Sequence, residues 1–454
     1  MDFVTLFLLI VPLITLYVRT PVLISLEMDA WAGLSGVVGT SILFSMGLWL
    51  LFRWQLRRSL QRAERTGDGV VLRVGHLSQA MVVGLSALYF AHIHVFRLKG
   101  SFERLFFSSE LFLVSDLFLL LPFLLPFLGL RVMIGRTLLQ LRGLPAPLAA
   151  EWRRQARTVA VMLLPQLLYL NVYRLLASDV PLVAEWLDRN PMFGFALAGT
   201  LLFLLFVLSP YYIGLLFDRV PLASFPDGEV LLPLLARLAR RAGVDLSRVH
   251  VWLTRERRVA NAAVSGLLPG HRTVFLTDYL IRSLPPQEVV AVVAHEVGHA
   301  RFHHLAFNFL LAILSSAFVL LGLSLVEDMI ETQQQLALAV VLLEAVYLLG
   351  VFGMMARRFE RQADLYAAWA VEAPRLVASS LLRLATANQL SIRKGSLTHP
   401  SIASRVRRLE RLDADPSALR TQRVRRAAWG NVTLAVALVV FFATALALLD
   451  SLPL

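Results

Sequence analysis

Residues 295–299 read His295-Glu296-Val297-Gly298-His299, inside a run of helical composition that begins at Pro286 and continues past His303. On a helix, positions i and i+4 differ by about 40° around the axis, so both imidazoles leave from one face. Two imidazoles in that relation can share a tetrahedral Zn²⁺, and Glu296 beside them is placed to take a proton from a metal-activated water. The chain contains no cysteine, so thiolate sites and disulfides are excluded and any metal must sit on His, Asp or Glu. A catalytic zinc usually keeps three protein ligands and one open position, so a third donor has to come from elsewhere in the chain.

Where it comes from depends on the elements around it. Of 454 residues, 57% are hydrophobic and only 17% charged, and the mean hydropathy is +0.67, which excludes a soluble protein and predicts one that lives in a membrane. Nine apolar runs are each about long enough to span: 3–18, 32–52, 77–96, 110–130, 158–177, 193–217, 304–326, 335–356 and 429–449. The first follows no basic segment and precedes no small-residue cleavage site, so it is expected to stay as an anchor. The net charge of +13 raises the question of nucleic acid. Its distribution answers it: 38 of the 44 Lys and Arg fall in the connections after the second, fourth, sixth and eighth runs. By the positive-inside rule these connections are cytoplasmic, and the arginines meet lipid headgroups, with no nucleic-acid partner. With 42 Arg against 2 Lys, the composition is that of a GC-rich prokaryote, and the membrane is then its plasma (inner) membrane.

This topology supplies the third ligand. After His299 the chain crosses twice, through 304–356, and returns to the same side at Arg357-Arg358-Phe359-Glu360-Arg361-Gln362-Ala363-Asp364. Glu360 arrives four residues past the end of the span. If the stretch continues it as a helix, Asp364 lies one turn further on the same face, where it can accept a hydrogen bond from the free ring nitrogen of a zinc-bound histidine. The predicted organisation is a mainly α, polytopic membrane protein of about nine spans carrying a small α+β, zincin-like domain on the cytoplasmic face. Residues 1–217 form the N-terminal membrane domain, 218–303 and 357–428 the two parts of the catalytic domain, 304–356 a hairpin between them, and 429–454 a last span. Within 218–303 a helix is expected over Gly228–Ala242, strands at Val249–Leu253, Val259–Val264 and Thr273–Leu276, and a second helix from Pro285-Pro286.

Five segments occur in the order of the M48 metallopeptidases: Pro226-Asp227-Gly228-Glu229, Asn261-Ala262-Ala263-Val264-Ser265-Gly266, HEVGH, Phe359-Glu360-Arg361-Gln362-Ala363-Asp364 and Thr398-His399-Pro400-Ser401. The chain resembles the Ste24-like branch, of the CAAX prenyl protease 1 type, more than the HtpX branch. Both the link Gly266-Leu267-Leu268-Pro269-Gly270-His271-Arg272 and the large membrane portion before the HEVGH helix resemble it. The resemblance implies one Zn²⁺ per chain on His295, His299 and Glu360, with Glu296 as general base and Asp364 behind the ligands. It also implies substrate contacts at Asn261, Ala262 and Ala263, and His399 close to the metal as a hydrogen-bond donor. It does not extend to the membrane chamber, because six spans are counted here before the zinc helix and Ste24 proteins have seven in all. A prokaryote also lacks prenylated CAAX proteins in most cases, so the activity carries over better than the substrate.

The remaining polar residues read more plainly. His303 and His304 continue the zinc helix after the ligand set is complete and are expected to be solvated or interfacial, as are His92 and His94. Glu344, mid-span, should face protein, a polar cavity or a basic partner. The predicted activity is a zinc endopeptidase acting on membrane-associated proteins or peptides. The rival is a non-proteolytic scaffold or transporter with a structural zinc, and the presence of Glu296, which is not a ligand, argues against it.

Overall fold

The computed structural model describes residues 29–66, 70–105, 112–176, scattered positions between 181 and 208, 218–254, 258–265, 272–326 and 333–451, apart from a few single positions within those ranges. The chain is mainly helical and divides into two compact units, 1–201 and 202–454.

The first unit contains α1 (Ala30–Thr66), α2 (Val70–His94), α3 (Leu98–Leu105), α4 (Phe112–Leu141) and α5 (Leu148–Arg174). Their apolar faces meet in a core of large side chains that includes Phe52, Leu85, Tyr89, Phe123, Phe127 and Leu167. Some of the polar groups inside it find partners on neighbouring helices. Thr40 Oγ1 lies 2.9 Å from His92 Nε2, and Asn171 donates to Asp116 at 3.1 Å. His92 and His94 are thus buried and not interfacial, because the polar group that His92 needs comes from a neighbouring helix.

The second unit holds β1 (Arg219–Pro221), α6 (Gly228–Ala242), β2 (Val249–Trp252), β3 (Ala262–Ser265), β4 (Thr273–Thr277), α7 (Asp278–Ser283), α8 (Pro286–Arg301), α9 (His304–Ser324) and α10 (Gln333–Tyr347). A π turn at Leu348–Phe352 leads into α11 (Gly353–Val371), followed by α12 (Pro374–Ala387), α13 (Ile402–Ala414) and α14 (Thr421–Ser451). The sheet runs β1-β2-β4-β3, with β2 and β4 parallel and the outer strands antiparallel to them, so β3 is an edge. α6 buries Leu231, Leu235 and Leu238 at helical spacing and stops at Gly243, whose φ of 61° closes the helix in the left-handed region. α8 starts on Pro286, where the missing N–H costs nothing, and buries nearly every apolar side chain against the sheet and α11.

The nine expected spans are not all found among the described residues. Among the described residues two helices are long and apolar enough to cross a membrane, Ala30–Arg58 and Ser115–Gln140. A third counts if Ala80–His94 and Leu98–Leu105, bent by 54°, make one broken span. The runs 3–18 and, for the most part, 193–217 lie outside the described residues, as does the side chain of Glu344. The run 304–326 does form one unbroken apolar helix, α9, whose side chains are described only in part, whereas two other runs do not coincide with unbroken apolar helices. The run 335–356 is divided by the π turn, and that at 158–177 carries Gln166, Asn171 and Arg174. The described apolar part of α14 is Trp429–Thr444, and the helix itself continues to Ser451.

Candidate metal centre

One glycine decides how closely α8 and α11 approach. A Cβ on Gly298 would lie 3.0 Å from Cα of Ala363 and 3.2 Å from Cβ of Tyr366, so any larger residue would have to push the two helices apart. That close crossing sets Glu360 and Asp364 of α11 against His295 and His299 of α8. Nε2 of His295 is 3.2 Å from Nε2 of His299 and 3.6 Å from Oε2 of Glu360, and His299 Nε2 is 3.5 Å from Oε1 of Glu360. Donor atoms about 2.0–2.1 Å from a tetrahedral zinc are about 3.3 Å from each other, so the three side chains already have the mutual spacing of a ligand set. Glu360 is 5% exposed. Its Oε2 is buried without a hydrogen-bond partner and has charge contacts with Nη1 of Arg405 at 3.0 Å and Nε2 of His295 at 3.6 Å. Two nitrogen lone pairs and an under-satisfied buried carboxylate converging on one point fit a divalent cation of zinc type.

The other ring nitrogens are also held. His295 Nδ1 is 3.1 Å from Asp364 Oδ1, and Asp364 is gripped in turn by Arg405 of α13. Burial by itself would raise the Asp364 pKa, but Arg405 and His295 outweigh it and bring the carboxyl down to about 2. The same balance, burial against hydrogen bonds from His299 and His399 and the charges of His295 and Arg405, holds Glu360 far below the ordinary carboxylate range. His299 moves the other way. Burial opposes its charge, yet the hydrogen bond to Glu360 and the nearby carboxylates of Glu296 and Glu360 leave its pKa raised.

Behind His299, the helix that the sequence predicts to run on past His303 breaks. α8 ends at Arg301, His303 adopts φ 55°, and α9 starts afresh at His304. His303 is exposed, but His304 is 2% exposed and its Nδ1 lies 2.9 Å from Nδ1 of His299.

Residues 230–413, which carry every one of these groups, match peptidase family M48. The chain carries an M48 peptidase domain. Among curated proteins it is similar to a protease HtpX homolog of Aeropyrum pernix, 34% identical over 131 residues, which is 29% of this chain and 39% of that one. A protease HtpX homolog of Campylobacter concisus is 22% identical over 261 residues, 50% of this chain and 89% of the other. The chain thus spans about two fifths of the first of these relatives. Among solved structures, that of Ste24p from S. mikatae aligns with 82% of this chain and 99% of its own at 18% identity, with a TM-score of 0.41.

Within the M48 domain, the loop before α13 brings His399 to the site. Ser396 folds it back, its Oγ accepting from the His399 N–H at 3.0 Å, and Ser401 caps α13 by accepting from Ser404 N–H at 3.3 Å. His399 Nδ1 then lies 3.0 Å from Oε1 of Glu360, with the rest of the ring exposed. Asn261 immediately precedes edge strand β3 and Ala262 and Ala263 open it; the strand packs beside α8, with Asn261 exposed and Ala262 buried. Arg405, His304, Gln362 and Asn431 of the site's surroundings were not expected from sequence. Arg405 is one of 15 basic residues between 357 and 428, and nothing in its type separates it from those that face solvent or lipid.

Proposed function

We propose that this protein is a membrane-embedded zinc endopeptidase that hydrolyses peptide bonds of membrane-associated proteins or peptides. One Zn²⁺ per chain would be held by His295, His299 and Glu360. The observation that carries this reading is the 3.2–3.6 Å spacing of the three donor side chains, with a glutamate next to the first of them that is not one of the donors. Bound zinc supplies a Lewis acid for the attacking water and the scissile carbonyl. Glu296 receives the proton of the attacking water and returns it to the leaving amine. Asp364, locked by Arg405, holds His295 in the tautomer that points its Nε2 lone pair at the metal. His399, as an imidazolium with Nδ1–H on Glu360, would turn its Nε2–H toward the carbonyl oxygen as that atom gains charge. The peptide lies extended along Asn261, Ala262 and Ala263.

Substrate class follows from placement. α9 begins five residues after His299, and Glu360 lies eight residues after the π turn that ends the returning helix. A site this close to helices of the hairpin supports cleavage beside the bilayer, and the arginine distribution supports the cytoplasmic face. The decisive experiment uses the full chain in lipid or detergent with a membrane-anchored peptide reporter. Glu296→Gln should retain about one zinc while losing about 100-fold or more in rate. Undiminished cleavage by this variant would overturn the assignment.

A further inference from the structure

The two histidines of the centre are supported differently. His295 leans on a charged pair, Asp364 and Arg405. His299 leans on a chain of neutral groups that runs out of the M48 domain into the C-terminal helix. Its Nδ1 meets His304 Nδ1 at 2.9 Å, and His304 Nε2 meets Gln362 Oε1 at 2.9 Å. Gln362 and Asn431 then exchange amide hydrogen bonds, Gln362 Nε2 donating to Asn431 Oδ1 at 2.8 Å and Asn431 Nδ2 donating to Gln362 Oε1 at 2.7 Å. All three residues behind His299 are buried, at 2%, 7% and 1% exposure. The ring of His304 is also stacked on Phe359, the residue before Glu360, with centroids 4.3 Å apart and planes 17° from parallel.

The protons of this chain are ordered from the metal end. A His299 that ligates through Nε2 carries its proton on Nδ1 and gives it to His304 Nδ1, so His304 carries its own proton on Nε2 and donates it to Gln362 Oε1, the orientation in which Asn431 Nδ2 also donates to that oxygen. In that order every member of the chain is satisfied and the Nε2 lone pair of His299 is held toward His295 and Glu360. In an unbroken helix residues 299 and 304 would be about 140° apart around the axis and could not touch. The left-handed turn at His303 is what returns His304 to His299.

Resting on the zinc-peptidase reading, we infer that His304, Gln362 and Asn431 are positioning residues: they fix the tautomer and ring orientation of His299, so that α14, some 130 residues downstream, is a working part of the metal centre. The arrangement places an uncharged anchor behind one histidine and a carboxylate behind the other. A buried polar chain is worth its desolvation only when every member is satisfied, and here each step supplies what the next lacks.

The test is zinc affinity of the full-length protein, by competition with a chelator of known affinity, together with the visible absorption of the Co²⁺-loaded form. His304→Leu keeps the volume and loses the acceptor; it should weaken zinc binding about 10- to 100-fold and shift the cobalt bands. His304→Gln can accept from His299 and donate to Gln362, and should stay within about threefold of wild type. Asn431→Leu, an apolar change in an apolar helix, should cost about three- to tenfold and provides the answer if His304→Leu does not fold. Wild-type affinity in His304→Leu or in a folded Asn431→Leu, or equal losses in His304→Leu and His304→Gln, would overturn the inference while leaving the peptidase reading intact. A folded wild type that binds no zinc would overturn both.

Discussion

Arg405 grips Asp364 with two parallel hydrogen bonds, Nη2 to Oδ1 at 2.7 Å and Nε to Oδ2 at 2.9 Å. The same guanidinium reaches Glu360 with Nη1, so one cation serves two buried carboxylates. Burial alone would favour its neutral form, but these carboxylates hold the Arg405 pKa above its usual value. Removing the cation strands both anions. Arg405→Met should therefore lower the stability of the zinc-free protein by about 3–5 kcal/mol, the cost of breaking a buried pair from one side. Arg405→Lys keeps the charge without the fork geometry and should fall between the two. Thermal unfolding of the three proteins without metal checks the order, and zinc should narrow the gaps because it replaces part of the charge at Glu360. Equal midpoints for wild type and Arg405→Met would show that the clamp contributes nothing.

Acid should undo the same pair. The Asp364 pKa of about 2 lies below its ordinary value, so its contribution is fully present above the unfolded-state pKa near 4 and is lost as pH falls through about 2. The contribution is on the order of 2 kcal/mol. Glu360, shifted downward as well, acts in the same direction. The stability difference between wild type and Asp364→Asn, measured without zinc, should accordingly shrink between pH 4.5 and pH 2.5. A difference that stays constant over that interval would rule out a depressed Asp364.

What could be read from the chain beforehand was whatever is local. HEVGH is five residues whose chemistry depends only on helical spacing, and the limits of α6 follow from an apolar stripe ended by glycine. Glu360 is 61 residues from His299 and was reached only by asking where the chain returns after a hairpin. Arg405 and His304 escaped for different reasons. The first is one arginine in an arginine-rich segment, and its partner is settled by the packing of α13 on α11. The second depends on a break at His303, where no glycine or proline announces it. Two of the expected spans differ for a related reason, because hydropathy averages over a window and does not register the π turn at 348–352 or the half-buried Gln166 and Asn171 inside it.

Gly298 offers a test that leaves every functional group in place. Gly298→Ala puts a methyl group 3.0 Å from the α11 backbone, where no flexible side chain can move aside. Overpacking of this kind costs about 1–3 kcal/mol, and here the strain is relieved by separating the helices that carry the two halves of the ligand set. The variant should bind zinc at least about tenfold more weakly although all three donors remain. Wild-type affinity would mean that the crossing distance does not set the geometry of the centre.

The edge position of β3 makes a directional prediction about substrate. Thr277 N–H donates to the Asn261 carbonyl at 3.0 Å, so the backbone groups of Asn261 face β4, and those of Ala262 face away from the sheet by the alternation of an antiparallel ladder. Just before it, Asn388 brackets Ala260, Oδ1 accepting from its N–H at 2.9 Å and Nδ2 donating to its carbonyl at 2.7 Å, which fixes the entry to the strand without using the outer face at 262. An extended peptide adding to this edge would pair with Ala262. Ala262→Pro removes an outward donor and should keep the fold and the zinc while lowering kcat/KM about tenfold, the worth of one or two well-made hydrogen bonds. Ala263 sits opposite Phe275 with its groups turned inward, so Ala263→Pro should break the ladder and destabilise the domain instead. A folded, zinc-loaded Ala262→Pro with wild-type kcat/KM would show that the peptide does not pair along β3.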